Sequence, residues 1–217
     1  MYLFLLLSIP LFYILYIQFK PNQRNLSHGF MVFFGTFLAT IYCIIDFFVF
    51  YAYKEPVYNV FSIFPDYFIT FTLIPFLVCG VFLFIFAKDP LTFKLEKFFP
   101  LLVGFFIIFF PYKTITQNRV FDYFLLFLSP LLYFSMLIFL DYIMNLTKDL
   151  IAKKLKISSL AIIIPSLLVI FTLPAIIYSM YYTEQLTILG FFFYLVFVVS
   201  AILLHVFSAK IEKKFTR

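Results

Sequence analysis

Asp46 stands inside an apolar run, 29–53, about five residues past its middle, which as a helix is roughly 7–8 Å from the centre. The hydrocarbon half-thickness of a bilayer is about 15 Å, so a carboxyl at that depth does not easily reach water by itself. An ionisable group so placed is costly and therefore a candidate for function. Two roles fit it. It can bind and release a proton, or it can sit neutral or paired and tie its helix to a neighbour. His205 and Asp141 lie in two other runs, each about 10 Å to one side of the centre. If those helices touch, a His–Asp pair could relay protons; otherwise the histidine bonds a backbone carbonyl and the aspartate sits at the interface. His28 falls near the same face, but Ser27-His28-Gly29 reads as loop, which argues against a bis-histidine haem. Toward the opposite face, Asp66, Arg119, Asp122 and Glu184 join Lys113 at helix ends. They could line a polar mouth above Asp46 or simply be wet helix termini. Arg119 and Asp122 are three apart, a spacing that lets them pair on one helical face.

The elements that must position these groups follow from composition. Of 217 residues, 65% are apolar and 12% charged, with mean hydropathy +1.10. Soluble domains are roughly half apolar and a quarter charged, so a water-soluble fold, disorder and a second soluble domain are excluded. The formal charge is +6, yet the basic residues flank apolar runs, which points to membrane orientation and away from nucleic acid. Cys43 and Cys79 both fall within apolar runs and read as small buried hydrophobes. No CxxC or Cys/His spacing suggests a metal, and no motif suggests a cofactor. Phosphate loops, HExxH, GxSxG and arginine ladders are all missing.

Seven apolar runs punctuate the chain: 1–19, 29–53, 66–87, 98–112, 121–144, 157–182 and 187–209. In lipid the backbone must satisfy its own hydrogen bonds, so the expected fold is all-α. The expectation is a polytopic integral membrane protein, a single bundle of seven transmembrane helices. The first run lacks a basic n-region and a small-residue cleavage site, and reads as a retained span. The fourth is short, at about 22 Å as a helix, and needs snorkelling lysines or bilayer thinning to cross. Charge favours crossing. With seven spans, 13 basic residues lie on one side and 3 on the other; if the fourth run does not cross, the division becomes 7 against 9. By the positive-inside rule the N-terminus is outside and the C-terminus cytoplasmic, in a plasma (inner) membrane.

Several finer expectations follow. Tyr2, Tyr51, Tyr53, Tyr58, Tyr67, Tyr112, Tyr123, Tyr178, Tyr181 and Tyr182 would form an outer aromatic belt. At an offset of 121, Leu7-Ser8 meets Leu128-Ser129, and 76–81 meets 197–202, so a 3+1+3 parallel repeat is possible. That layout is similar to that of SWEET-type sugar transporters, although the proline–glutamine pair of the related PQ-loop proteins is absent. Pro10, Pro75, Pro130, Pro165 and Pro174 fall inside spans and free carbonyls that could coordinate a ligand or only mark kinks. Residues 145–158 carry Lys148, Lys153, Lys154 and Lys156 among leucines and isoleucines, suggesting an amphipathic turn on the inner leaflet.

The reading that unites these features is a small secondary transporter or permease component, with Asp46 facing a midplane site. Asp141, His205, Arg119 and Asp122 are the further substrate- or proton-binding candidates, and no residue is assigned a catalytic role. An intramembrane lipid-modifying enzyme and a structural or assembly subunit are the alternatives, with the balance leaning away from an enzyme. The expected partners are the lipid bilayer and other membrane subunits.

Overall fold

The computed structural model describes residues 2–19, 26–50, 60–86, 90–116, 127–152, 160–183 and 186–215. Among these the chain is helical, with no strands. In order come α1 (Tyr2–Phe19), α2 (Leu26–Phe50), α3 (Val60–Tyr67), a π turn (Phe68–Leu73), α4 (Ile74–Phe86), α5 (Leu91–Thr116), α6 (Ser129–Ala152), α7 (Leu160–Tyr181) and α8 (Thr187–Phe215). Six stretches are long and apolar enough to cross a membrane; the apolar part of α1, Leu6–Gln18, is shorter. The protein is thus a helical multi-pass membrane protein, with six spanning helices and the shorter apolar α1.

The third span is α3, the π turn and α4 in succession. Pro75 has no N–H, and its ring crowds the carbonyl of Phe71 four residues earlier. The helix widens one turn before it, where the Ile74 N–H bonds the Ile69 carbonyl five residues back.

Contacts between helix ends fix the direction of each crossing. Tyr16, late in α1, packs on Phe99, early in α5, with ring centroids 5.1 Å apart. Glu96, early in α5, pairs with Lys148, late in α6, at 2.7 Å. Tyr67 at the end of α3 stacks on Tyr178 near the end of α7 and lies 3.3 Å from Ser129 at the start of α6. Every successive span therefore reverses direction, and α2 and α5 run parallel.

The run expected to be short is the bundle's axis. Where 98–112 reads as a minimal span, the helix extends from Leu91 to Thr116, about 39 Å. It packs against α1, α2, α4 and α6. Of its spanning stretch 72% is buried, against 22% for α2. Leu101 to Phe106 are buried phenylalanine, leucine and valine around Gly104. The charges beside the run do not end the helix: Glu96 pairs with Lys148 and Lys113 with Asp46, each on a neighbouring helix. Reporter fusions after residues 92 and 116 are accordingly expected on opposite faces of the membrane; the same face for both would refute this crossing.

Other boundaries differ from the apolar runs. α2 begins at Leu26, so Ser27-His28-Gly29 is its first turn rather than a loop, and His28 is buried. α6 continues to Ala152, so the start of the expected amphipathic turn at 145–158 is helix in line with the span, while 153–158 lie outside the described residues. The aromatic belt needs correction too. Tyr67 and Tyr178 are buried, stacked face to face in the core, because their hydroxyls can find partners within the bundle. Tyr51, Tyr53, Tyr58 and Tyr123 lie outside the described residues.

Candidate functional site: two buried polar clusters

α2 presents a broad apolar surface to lipid: Ile44, Ile45, Phe47 and Phe48 are all exposed beside the buried Asp46. Asp46 points the other way, toward α5. The approach of the two helices is set by Gly35 and Gly104. A Cβ on Gly35 would meet the Leu101 carbonyl oxygen and lie 2.8 Å from the Phe105 nitrogen; one on Gly104 would meet the Val32 carbonyl. Absent side chains let the backbones touch. From Gly35 to Asp46 is 11 residues and from Gly104 to Lys113 is 9, so parallel helices touching at the glycines bring the two charges level.

There the Lys113 Nζ lies 2.6 Å from Asp46 Oδ2, both side chains at least nine-tenths buried. The Tyr112 hydroxyl donates to the same oxygen at 3.0 Å, and the Tyr42 hydroxyl, one turn before Asp46, donates to Oδ1 at 3.3 Å. The ammonium also sits 5.6–5.9 Å from the ring centres of Tyr112, Phe109 and Tyr42, within the range where an aromatic face attracts a cation. The result is a carboxylate with three donors and a lysine with an anionic partner and aromatic walls. Such a pair carries no net charge, which is the state in which low-dielectric burial is tolerable.

The second cluster lies at the other end, with about 21 Å of α5 between Phe99 and Lys113. The packing of α1, α6 and α8 does bring Asp141 and His205 into one cluster, linked through Tyr16. Its hydroxyl donates to Asp141 Oδ2. Its ring stacks on the His205 ring, with centroids 4.3 Å apart and planes 19° from parallel. The Tyr142 hydroxyl lies 3.3 Å from His205 Nδ1 and also bonds the Ser208 hydroxyl. Asp141, Tyr16 and His205 are all buried. The Tyr16 hydroxyl thus serves the carboxylate and the Tyr142 hydroxyl the imidazole, while the link between Asp141 and His205 runs through the Tyr16 ring.

The other candidates separate. Asp66 is exposed and accepts a 3.5 Å bond from Thr70 on the next turn. Arg119, Asp122 and Glu184 lie outside the described residues. Among the described residues no three of His, Cys, Asp and Glu come together to hold a metal. Tyr112, Tyr42, Tyr16 and Tyr142 were not chosen from the sequence as members of these clusters, and Lys113 was expected only at the rim of a polar mouth above Asp46, not in contact with it. Tyr42 lies four residues before Asp46, a spacing that places both on one face of α2. Compared with known protein families, curated proteins and solved structures, the chain matches none of them.

Proposed function

We propose that the protein is a small secondary transporter or permease component that couples proton binding at Asp46 to anion binding at Lys113. The supporting observation is the buried 2.6 Å pair between helices that present these groups at matching depth. Protonating Asp46 removes the lysine's counter-charge. A buried ammonium that loses a carboxylate charge at 2.6 Å is strongly destabilised, so either the helix ends part or an anion takes the vacated place beside Tyr112 and Tyr42. Release of the anion restores the original pair as the proton leaves. The reading places the chain in a plasma membrane with the Asp46 end outside and the lysine-rich end cytoplasmic, as the positive-inside rule directs.

Proteoliposomes enclosing a pH-sensitive dye test this. Small carboxylates and inorganic phosphate are added outside at an imposed pH gradient. Wild-type protein is expected to move protons with at least one of these anions. Asp46→Asn should abolish the proton movement, and Lys113→Gln the anion dependence. A folded D46N/K113Q protein that still moves the anion with its proton would sink the coupling, as would a wild type inert to every anion offered.

A further inference from the structure

Between α6, α7 and α8 lies a cleft of about 580 Å³, lined by Phe139, Pro165, Ile170, Val196, Phe197 and Ser200. Its walls are hydrocarbon and aromatic rings with the serine hydroxyls of Ser166 and Ser200. Pro165 cannot donate to the helix bond at its own position, and its place in the lining is where α7 meets the cleft's end nearest the lysine-rich face. Walls of this kind suit an acyl chain better than a polar ligand.

Charge says which lipid. The Tyr142–Ser208 bond lies beyond the cleft on the same two helices, three residues past Phe139 on α6 and eight past Ser200 on α8. The chain just past that end is basic on both sides. Residues 145–158 and 210–217 together hold eight Lys and Arg against Asp149 and Glu212, a balance of +6 that equals the net charge of the whole protein. The remainder of the molecule is neutral overall. Lysines immediately beside a span attract anionic headgroups, and basic recesses between spans bind them specifically.

We propose that the α6–α7–α8 cleft is a binding site for one acyl chain of an anionic phospholipid, with its phosphate held at the lysine-rich end near Tyr142 and Ser208. The site is separate from the Asp46–Lys113 pair, at the opposite end of the bundle, and does not depend on the transport reading. A headgroup there lies against the Tyr142 hydroxyl, which also contacts His205. Occupancy therefore reaches the second polar cluster.

Native mass spectrometry of detergent-purified full-length protein, titrated with phosphatidylglycerol or phosphatidylcholine of identical chains, tests the site. Wild type is expected to retain one phosphatidylglycerol in preference to phosphatidylcholine. Ser200→Trp fills the cleft and should remove that bound lipid. Ile188→Trp adds the same bulk to the fully lipid-facing side of α8, where Ile188 is 89% exposed, and should leave it in place. The triple variant K210Q/K213Q/K214Q keeps the cleft but should lose the preference by tenfold or more, since one basic residue near an anionic surface is worth about fivefold. Equal retention of both lipids by wild type, or undiminished phosphatidylglycerol on S200W, overturns the proposal. If S200W fails to elute as a single species, the triple variant decides alone, and an unchanged preference in it also overturns the site.

Discussion

Lys113→Met is expected to cost about 3–5 kcal/mol of stability, the range for removing one partner of a buried ion pair. The loss does not come mainly from the missing attraction. It comes from Asp46, which keeps its place between α2 and α5 with only the Tyr42 and Tyr112 hydroxyls to stabilise its charge. Met matches the lysine stem in length and preserves its contacts with the surrounding rings, so the charge alone is tested. Asp46→Leu should be comparably harmful, because it removes the carboxylate 2.6 Å from a buried ammonium. The double variant D46L/K113M removes both charges and should return to wild-type stability or above it, since well-packed apolar pairs replace buried ion pairs without loss. Heating detergent-solubilised protein and measuring the fraction that still elutes as a monodisperse peak reads all three. A double variant as unstable as either single variant would show that the charges are not coupled as described. Stability restored in D46L/K113M with transport lost would separate what the pair does for the fold from what it does in coupling.

Gly104→Leu should be the most disruptive single change at a position that bears no functional group. Any Cβ there runs into the Val32 carbonyl and comes within 2.8 Å of its carbon, backbone atoms that no rotamer change can move aside. Accommodating it requires α2 and α5 to separate along their whole contact. That separation also pulls Asp46 from Lys113, so the cost of overpacking, typically about 1–3 kcal/mol, adds to that of the broken pair. Even Gly104→Ala should be clearly destabilising, whereas Gly80→Ala, where nothing lies within 4 Å of the added carbon, should be tolerated. The same elution assay ranks the three. A G104A protein as stable as G80A would show that the helices are not in backbone contact.

Both predictions concern α5, the element whose sequence was hardest to interpret. Its apolar run looks marginal because Lys97 and Lys113 bound it, and charges normally mark where a span ends. Distribution of lysine and arginine along the whole chain nevertheless argued correctly that it must pass through. Its burial at the centre of the bundle was not foreseeable in the same way. Runs 2, 4 and 7 are all rich in phenylalanine, and nothing in such composition distinguishes a helix that faces lipid on most sides from one enclosed by its neighbours. Gly35 and Gly104 are separated by 69 residues, and their meeting is a fact of packing.

What the amino-acid order determined is the class of fold, because lipid leaves a polypeptide backbone no other way to satisfy its hydrogen bonds; of the seven runs expected to span, six are helices long and apolar enough to cross and the first is shorter. It also singled out Asp46, Asp141 and His205, because a charged or polar ring among hydrocarbon residues is conspicuous whatever surrounds it. Partners were another matter. Lys113 looked like an interfacial anchor and Tyr112 like part of an aromatic belt, both sensible for residues at a helix end. Tertiary structure turned them inward, since the close contact of two parallel helices places a lysine level with an aspartate, and neutralising each other inside the bundle is more favourable than leaving the carboxylate alone. The same holds for Tyr16, an ordinary tyrosine near the end of the first helix until α6 and α8 close around it.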